Sequence, residues 1–275
     1  MNSYATLLIK WLPAERAHLD YMMEKKLFPE VGMEHGGLDY PPEGHRELAS
    51  SLKDHGLRAA VHLPFFGLVP GSADEKLWRR SLDRLLRAAE IASWYGADHL
   101  IGHPEFSPLA DGERLEDNNK PSERWLERSV LAWEKVLGAT DARLYLENTD
   151  DQTPEAILSL LTHLPERAGM CFDVGHWYFA AHGRYRRNLA DWLEPMAASR
   201  RLGHLHLHDN DGDADRHWGL GQGGIDFHAF FDLMKTYGHR PTFTLEAHRL
   251  ESLKQSQAWL ENDPRGIEFV SVGAV

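Results

Sequence analysis

Eight short apolar segments alternate along the chain with longer segments of helical period, and this alternation restricts the possible folds more than any other feature. It is the sequence signature of βα units. The predicted strands are residues 4–10, 29–35, 57–62, 97–103, 143–147, 168–173, 202–206 and 242–246. Helices are predicted at 78–95, 122–137, 154–164 and 227–237. Because eight strands favour closure over a doubly wound open sheet, we predict a single (β/α)8 TIM barrel.

The chain length agrees with one barrel domain spanning residues 1–275. TIM barrels typically have about 250 residues, and no internal repeat or long linker divides this chain. Gly56, Gly96 and Gly238 stand where a predicted helix ends and the next strand begins, as C-terminal helix caps do. We assign residues 266–275 to a terminal extension.

Composition disfavours several classes of protein. The 30 Lys+Arg and 42 Asp+Glu residues give a net charge of −12, which opposes broad binding to nucleic acid or to anionic membranes. No apolar run approaches the roughly 18 residues of a membrane span. The N-terminal residues lack the basic region of a signal peptide, and the single Cys171 cannot form an internal disulfide. We therefore expect a cytoplasmic protein without a membrane partner.

The 17 histidines are the unusual feature of the composition, and several of them stand with carboxylates at the ends of predicted strands. In a TIM barrel these ends build the active site. The motifs are VHLPF, IGHPEF, YLENT, CFDVGH, HLHLHDN and TLEAH, with DADRHWGLGQG after strand seven. They contain His62, His103, Glu147, Asp173, His176, His204, His206, His208, Asp209, Asp215, Arg216, His217, Glu246 and His248. Imidazole nitrogen and carboxylate oxygen suit Zn²⁺, Mn²⁺ or Mg²⁺, and many histidines favour zinc.

A single strand-end histidine is more often a hydrogen-bonded core or surface residue than a metal ligand. Six consecutive strands that all end in His, Asp or Glu are hard to explain in this way, because buried charges are costly unless they are paired or bound to metal. Eight other histidines are assigned to helices or loops away from the site. They are His18, His45, His55, His99, His163, His182, His228 and His239.

Alternation along strand seven places His204, His206 and His208 on one face. His204 is expected to lie deepest in the barrel. Either His206 or His208 is then the metal ligand from this strand.

The motifs LENT, CFDVGH, HLHDNDG, DRHWGLGQG and TLEAH, in this order, resemble the xylose-isomerase-like TIM-barrel superfamily. That superfamily includes sugar and sugar-phosphate isomerases and epimerases, and also the AP endonucleases of the endonuclease IV group. The resemblance extends from about Ala60 to His248 and is weakest over the first two strands.

In the endonuclease IV branch, the resemblance implies three zinc ions that share nine ligands. His62, His103 and Glu147 would hold one ion, and Glu147 would bridge to a second. The second ion would also be held by Asp173, His206 and Glu246, and the third by His176, Asp215 and His217. The basic, duplex-penetrating loops of that branch are not visible in this sequence.

In the epimerase branch, the resemblance implies a single metal at the positions of Glu147, Asp173, His206 and Glu246. The position of His176 and an arginine after strand seven, for which Arg216 is the candidate, would bind substrate. We add His208, Trp177 and Trp218 to the substrate-binding candidates.

The favoured function is therefore a sugar or sugar-phosphate isomerase or epimerase that uses a divalent metal, with Zn or Mn first and Mg or Co next. The metal would stabilise an enediolate, and Glu147 and Glu246 would act as the two acid/bases. The first alternative is a trinuclear zinc phosphoester hydrolase of AP endonuclease type. The second is a sugar-binding barrel without activity. The expected ligand is a small carbohydrate or phosphorylated molecule, one to three metal ions are expected, and assembly into a homo-oligomer stays open.

Overall fold

The computed structural model describes residues 3–105, 121–149, 151, 153–181, 188–238 and 240–272. Eight parallel strands pair in chain order, and β8 pairs with β1 to close the barrel. The strands are β1 (Ser3–Leu8), β2 (Phe28–Gly32), β3 (Ala60–His62), β4 (His99–Gly102), β5 (Arg143–Glu147), β6 (Ala168–Asp173), β7 (Leu202–Leu207) and β8 (Thr242–Leu245). The predicted (β/α)8 fold is confirmed.

Ten α-helices lie within the described residues. They are α1 (Arg16–Lys25), α2 (Pro42–Asp54), α3 (Glu75–Tyr95), α4 (Glu123–Gly138), α5 (Glu155–Thr162), α6 (Val174–Ala180), α7 (Leu189–Ser199), α8 (Phe227–Thr236), α9 (Leu250–Asn262) and α10 (Pro264–Val272). In this part of the chain, none of them combines the length and apolar character that crossing a membrane requires. Gly56, Gly96 and Gly238 all have positive φ at helix ends, as predicted.

The C-terminal assignment was wrong in part. Most of residues 266–275 belong to α10, and residues 273–275 lie outside the described part of the chain. The Phe269 ring of α10 stacks on Phe231 of α8 at 4.5 Å and also contacts Phe243 of β8 at 5.5 Å. Helical period and apolar contacts therefore fix this segment against the barrel wall.

Strand positions were predicted correctly, but several predicted strands were too long. Predicted strand 29–35 ends at Gly32, so Glu34 and His35 lie in the following loop, where His35 has a φ of 51°. A strand stops contributing ladder hydrogen bonds where its loop leaves the barrel, and local apolar pattern does not mark that point.

A polar layer fills part of the barrel interior beneath the strand ends. Its members Glu30, His99, His204 and Thr244 are all buried. TIM-barrel interiors are usually filled by bulky branched apolar residues. The assignment of His99 to a helix or loop away from the site was wrong. His99 lies on β4, where side-chain alternation points His99 and Ile101 inward while Leu100 packs in the outer core.

Candidate metal centre

The residues predicted as metal ligands converge at the carboxyl end of the barrel. Parallel strands deliver their final side chains to one rim, and Glu147 of β5 lies at the middle of the group. Its Oε2 is 3.2 Å from Nε2 of His62 and 3.2 Å from Nε2 of His103. Its Oε1 is 3.2 Å from Nδ1 of His176 and 3.3 Å from Nδ1 of His206. Glu147 is fully buried, so four imidazoles surround a carboxylate that is closed to bulk water.

His206 of β7 brings three carboxylates together at one nitrogen atom. Its Nδ1 lies 3.3 Å from Oε1 of Glu147, 3.3 Å from Oε2 of Glu246 and 3.7 Å from Oδ2 of Asp173. None of these four atoms has an aligned hydrogen-bond partner in the described structure. Unsatisfied buried polar atoms are costly, and one imidazole nitrogen with three carboxylate oxygens is a suitable donor set for a divalent cation. Glu147, Asp173, His206 and Glu246 therefore fit a metal ion.

A second group of possible ligands lies beside the first and contains His176, His208, Asp215 and His217. Asp215 Oδ2 is 2.9 Å from Nε2 of His217 and 3.3 Å from Nε2 of His176. His208, predicted to bind substrate, is fully buried, and its Nε2 lies 3.1 Å from Oδ1 of Asp173. Both His206 and His208 thus face carboxylates of the centre, so the alternation of β7 supplies two neighbouring imidazoles.

Local hydrogen bonds fix the backbone that carries these side chains. Asp173 ends β6 and caps α6, because its Oδ1 accepts a hydrogen bond of 2.6 Å from the backbone N–H of His176. The Asn148 side chain bonds both the N–H and the C=O of Asp173. After β7, the buried Asp209 carboxylate accepts hydrogen bonds from the backbone N–H groups of Gly221, Gly223 and Ile225. These hydrogen bonds to Asp209 fold the β7–α8 loop so that Asp215 and His217 lie over the centre.

The electrostatics of the centre favour cations. Burial alone would lower the pKa of His62, but the carboxylates of Glu147 and Glu34 raise it to about 9. Burial alone would likewise lower the pKa of His217, and Glu246 and Asp215 raise it to about 9. Burial would raise the pKa of the Glu147 carboxyl, but His206 and His103 hold it well below its ordinary value. The Glu147 carboxylate is therefore ionised, and its field stabilises positive charge at the imidazoles.

A cleft of about 660 Å³ opens above the centre. Its described lining includes His62, His103, His176, Asp215, His217 and Glu246 from the predicted ligand set, together with Glu34, His35, Phe65, Phe66 and His248. Among the described residues, Arg216, Trp177 and Trp218 are not part of this lining. Arg216 instead lies over the Trp218 ring and pairs with Asp211 at 3.3 Å, so their predicted substrate contact stays a prediction.

Glu30, Glu34 and His35 were missed by the sequence reasoning. Glu34 is buried, and its Oε2 is 3.7 Å from Nδ1 of His62. The sequence did contain a signal for Glu34, because a carboxylate stands at the end of strand two as it does at the ends of strands five and eight. It was hidden because the predicted strand ran on to residue 35.

Comparisons with known proteins agree with this architecture. The family model described as xylose isomerase-like TIM barrel matches residues 21–263. The uncharacterized protein MJ1311 of Methanocaldococcus jannaschii is 23% identical over 236 residues, covering 80% of this chain and 74% of the relative. The crystal structure of a D-tagatose 3-epimerase-like protein superposes with a TM-score of 0.76 at 20% identity, over 99% of this chain and 98% of that chain. The TTHB071 protein of Thermus thermophilus, soaked with ZnCl2, gives a TM-score of 0.73 at 26% identity, over 94% and 97%.

Proposed function

Because the chain belongs to the xylose isomerase-like TIM-barrel family, we propose that it is a divalent-metal-dependent isomerase or epimerase of a small sugar or sugar phosphate. The observation that carries the proposal is the convergence of four buried atoms that have no aligned hydrogen bond, one each from Glu147, Asp173, His206 and Glu246. These are the four positions that the resemblance to the epimerase branch implies for a single metal. The fold likeness to a D-tagatose 3-epimerase-like protein agrees with this reaction class.

Four other predicted ligands, His62, His103, Asp215 and His217, can act as supporting neighbours of a single metal ion. His62 and His103 each donate an aligned Nε2–H hydrogen bond to Oε2 of Glu147. His217 and Asp215 form a hydrogen bond of 2.9 Å with each other. Through these hydrogen bonds the four residues orient the carboxylates as neighbours of the ligands, which is a common role for groups around a metal site.

The reaction needs a carbon acid to lose a proton and regain it. A divalent cation held by Glu147, Asp173, His206 and Glu246 would polarise the substrate carbonyl and stabilise the charge that develops on deprotonation. Of the two glutamates, one takes the proton from carbon and the other delivers a proton to the opposite face, which inverts that centre. Return of the proton to the neighbouring carbon instead interconverts an aldose and a ketose. His176, at the cleft wall, is placed to bond a substrate hydroxyl.

Aromatic rings give the cleft a wall suited to the apolar face of a sugar. Phe65 stacks on His103 at 4.2 Å and contacts Phe66 at 4.3 Å. His35 continues the wall at 5.1 Å from Phe66, and Trp11 stacks on His35 at 5.5 Å. Phe66 is 63% exposed, so its ring is open to a ligand in the cleft. The cleft volume also lies within the range typical of small-molecule sites, roughly 300–1,000 Å³.

Hydrogen exchange with solvent tests the proposed chemistry. In D2O, the wild-type protein with Mn²⁺ or Zn²⁺ should incorporate deuterium at the carbon beside the carbonyl of its substrate, within a panel of ketoses, aldoses and their phosphates. Glu147→Gln and Glu246→Gln should each abolish this exchange. Glu127→Gln, a change to an exposed carboxylate of α4 outside the described cleft lining, is the matched control and should retain it. Unimpaired exchange in both glutamate variants, at equal metal content, would exclude the mechanism.

The group of His176, His208, Asp215 and His217 favours phosphoester hydrolysis as a second candidate function. Further cations in this group would allow the charge of a phosphate to be neutralised by several metals. Metal content per chain separates the two candidates. One ion in protein purified without chelator supports the isomerase or epimerase, and three zinc ions with cleavage of a phosphoester substrate support the hydrolase.

A further inference from the structure

We propose that Glu30, on β2 beneath the metal centre, is a positioning residue that holds the His206 imidazole for metal binding. This inference rests on the proposed function, because it concerns the same metal site. Glu30 is fully buried on the inner face of the barrel, and its Oε1 lies 3.1 Å from Nε2 of His206. The opposite ring nitrogen of His206 is the one that faces Glu147, Asp173 and Glu246.

Glu30 and His206 each supply the partner that the other lacks. Oε1 of Glu30 and Nε2 of His206 are both buried, and neither has an aligned hydrogen bond among the described residues. At 3.1 Å the two atoms are already within hydrogen-bond distance, so a small rotation of the imidazole aligns the N–H with the carboxylate. Leaving both groups unsatisfied would cost more than this rotation.

The other oxygen of Glu30 is anchored by a neighbouring strand. Thr244 of β8 donates a hydrogen bond of 2.7 Å to Oε2 of Glu30, and Thr244 pairs with His206 in the register of β7 and β8. Nε2 of His204 and Nε2 of His99 lie 3.5 Å and 3.8 Å from the same oxygen. The carboxylate is therefore fixed from several sides, and its free oxygen points to His206.

An N–H of His206 directed at Glu30 leaves the Nδ1 lone pair toward the three carboxylates. A metal-binding histidine whose second nitrogen donates to a carboxylate has a fixed tautomer and ring orientation, and loss of such a partner typically costs about 10–100-fold in metal affinity. The contact between Oε1 of Glu30 and Nε2 of His206 assigns this positioning role to Glu30. It also accounts for a buried carboxylate in a barrel layer that is usually apolar.

Cobalt binding tests the assignment without reference to turnover. Co²⁺ affinity would be measured by competition with a chelator, together with the visible spectrum of the bound ion, for the full-length wild-type protein and Glu30→Met. The variant should lose about 10–100-fold in affinity for one Co²⁺ ion and shift its spectrum. Glu30→Gln should recover part of the affinity, because its amide oxygen can accept the His206 N–H. Thr244→Val, which keeps the Glu30 charge, should lose less than Glu30→Met.

A double-mutant cycle separates positioning from a general effect on the fold. If Glu30 acts through His206, Glu30→Met should have little further effect on Co²⁺ affinity in a His206→Gln background. An equal loss in both backgrounds would overturn the proposal, as would wild-type affinity and spectrum in Glu30→Met. If Glu30→Met does not fold, the isosteric Glu30→Gln decides: a reduced affinity with a shifted spectrum supports the proposal, and no change overturns it. Absence of cobalt from the wild-type site would overturn the proposed function as well.

Discussion

Gly175 allows His208 to pack against β6 and α6 because it has no side chain. A Cβ atom at this position would lie 2.0 Å from Cε1 and 2.3 Å from Nε2 of His208. These ring atoms cannot move away freely, since His208 stacks on His217 at 4.1 Å and is fully buried. The glycine is therefore required by space, and the position of an imidazole in the second ligand group depends on it.

We expect Gly175→Ala to displace His208 and to lower metal affinity, with a loss of about 1–3 kcal/mol in unfolding free energy from overpacking. Gly138→Ala is the matched control, because no atom lies within 4 Å of the added Cβ there. Thermal unfolding and metal titration of both variants provide the measurement. Equal behaviour of the two variants would contradict the packing argument.

A substitution of Phe66 tests whether the aromatic wall of the cleft contacts the substrate. Its replacement by alanine should raise KM roughly three- to tenfold with little change in kcat, because a stacking contact is worth about 0.5–1.5 kcal/mol and lies away from the reacting carbon. Leu77→Ala removes another exposed apolar side chain, 44% accessible, outside the described cleft lining. That control should leave both constants unchanged. Equal kinetics for wild type and Phe66→Ala would show that the ring does not contact substrate.

His45 gives the protein a pH-dependent contribution to stability that is separate from the metal centre. Its Nε2 lies 3.1 Å from the Gly37 carbonyl and its Nδ1 lies 2.8 Å from the Tyr95 hydroxyl. These contacts fit a neutral imidazole that donates from Nε2 and accepts at Nδ1. Burial lowers the pKa of His45 below its ordinary value of 6.5. As pH falls through 6.5, the unfolded chain binds a proton that the folded protein does not, so stability declines.

His45→Gln should lower the unfolding free energy at pH 7.5 by about 1–3 kcal/mol, because it disturbs buried hydrogen bonds. It should also lose less stability than the wild type between pH 7.5 and 5.5. Urea unfolding in EDTA at both pH values measures the difference, with the exposed His55→Gln as control. An identical pH dependence in wild type and His45→Gln would contradict the assignment.

At the scale of elements, the loop between β7 and α8 is held by one carboxylate. Asp209 is fully buried and accepts hydrogen bonds from several backbone N–H groups of residues 210–225. Gly221 in this loop has a φ of 79°, which favours glycine. The hydrogen bonds to Asp209 hold the loop so that Asp215 and His217 lie at the centre. The loop is therefore part of the site, although Asp209 does not reach the cleft lining.

Asp209→Ala should therefore lower unfolding free energy by at least about 2 kcal/mol and make the loop more sensitive to protease, because several donors lose a charged acceptor. Asp213→Asn, in the same loop and exposed, should change the melting temperature little. Limited proteolysis with and without metal, followed by mass spectrometry, locates the cuts. Resistance of Asp209→Ala equal to that of wild type would show that the glycines hold the loop without the carboxylate.

At the scale of the whole molecule, metal binding should couple to stability, because the ligands come from strands distributed around the barrel. Metal at about 100 times its Kd adds about 2.7 kcal/mol to the folded state. For a chain of this length, that corresponds to a rise of about 5–10 °C in melting temperature. EDTA should reverse the rise, and the rise should be smaller in His206→Gln, which keeps the three carboxylates of the site. A melting temperature independent of metal would contradict a built metal site.

The sequence by itself determined the barrel and most of the site inventory. Alternating βα patterns fix eight strands, and the rule that barrel strands present their last residues at one rim identified His62, Glu147 and Glu246 as neighbours although they are far apart in the chain. Local pattern was sufficient here because side-chain direction along a strand alternates with a fixed period of two.

Only the tertiary structure decided which atoms face each other across the barrel. The inward direction of His99, the contact between Glu30 and His206, and the hydrogen bonds from His62 and His103 to Glu147 depend on strand register and on where each strand ends. Register is set by pairing between segments that are distant in sequence. The pattern of a single segment does not tell how far it is offset from the strand beside it. The proposed distinction between metal ligands and supporting residues therefore required the closed barrel.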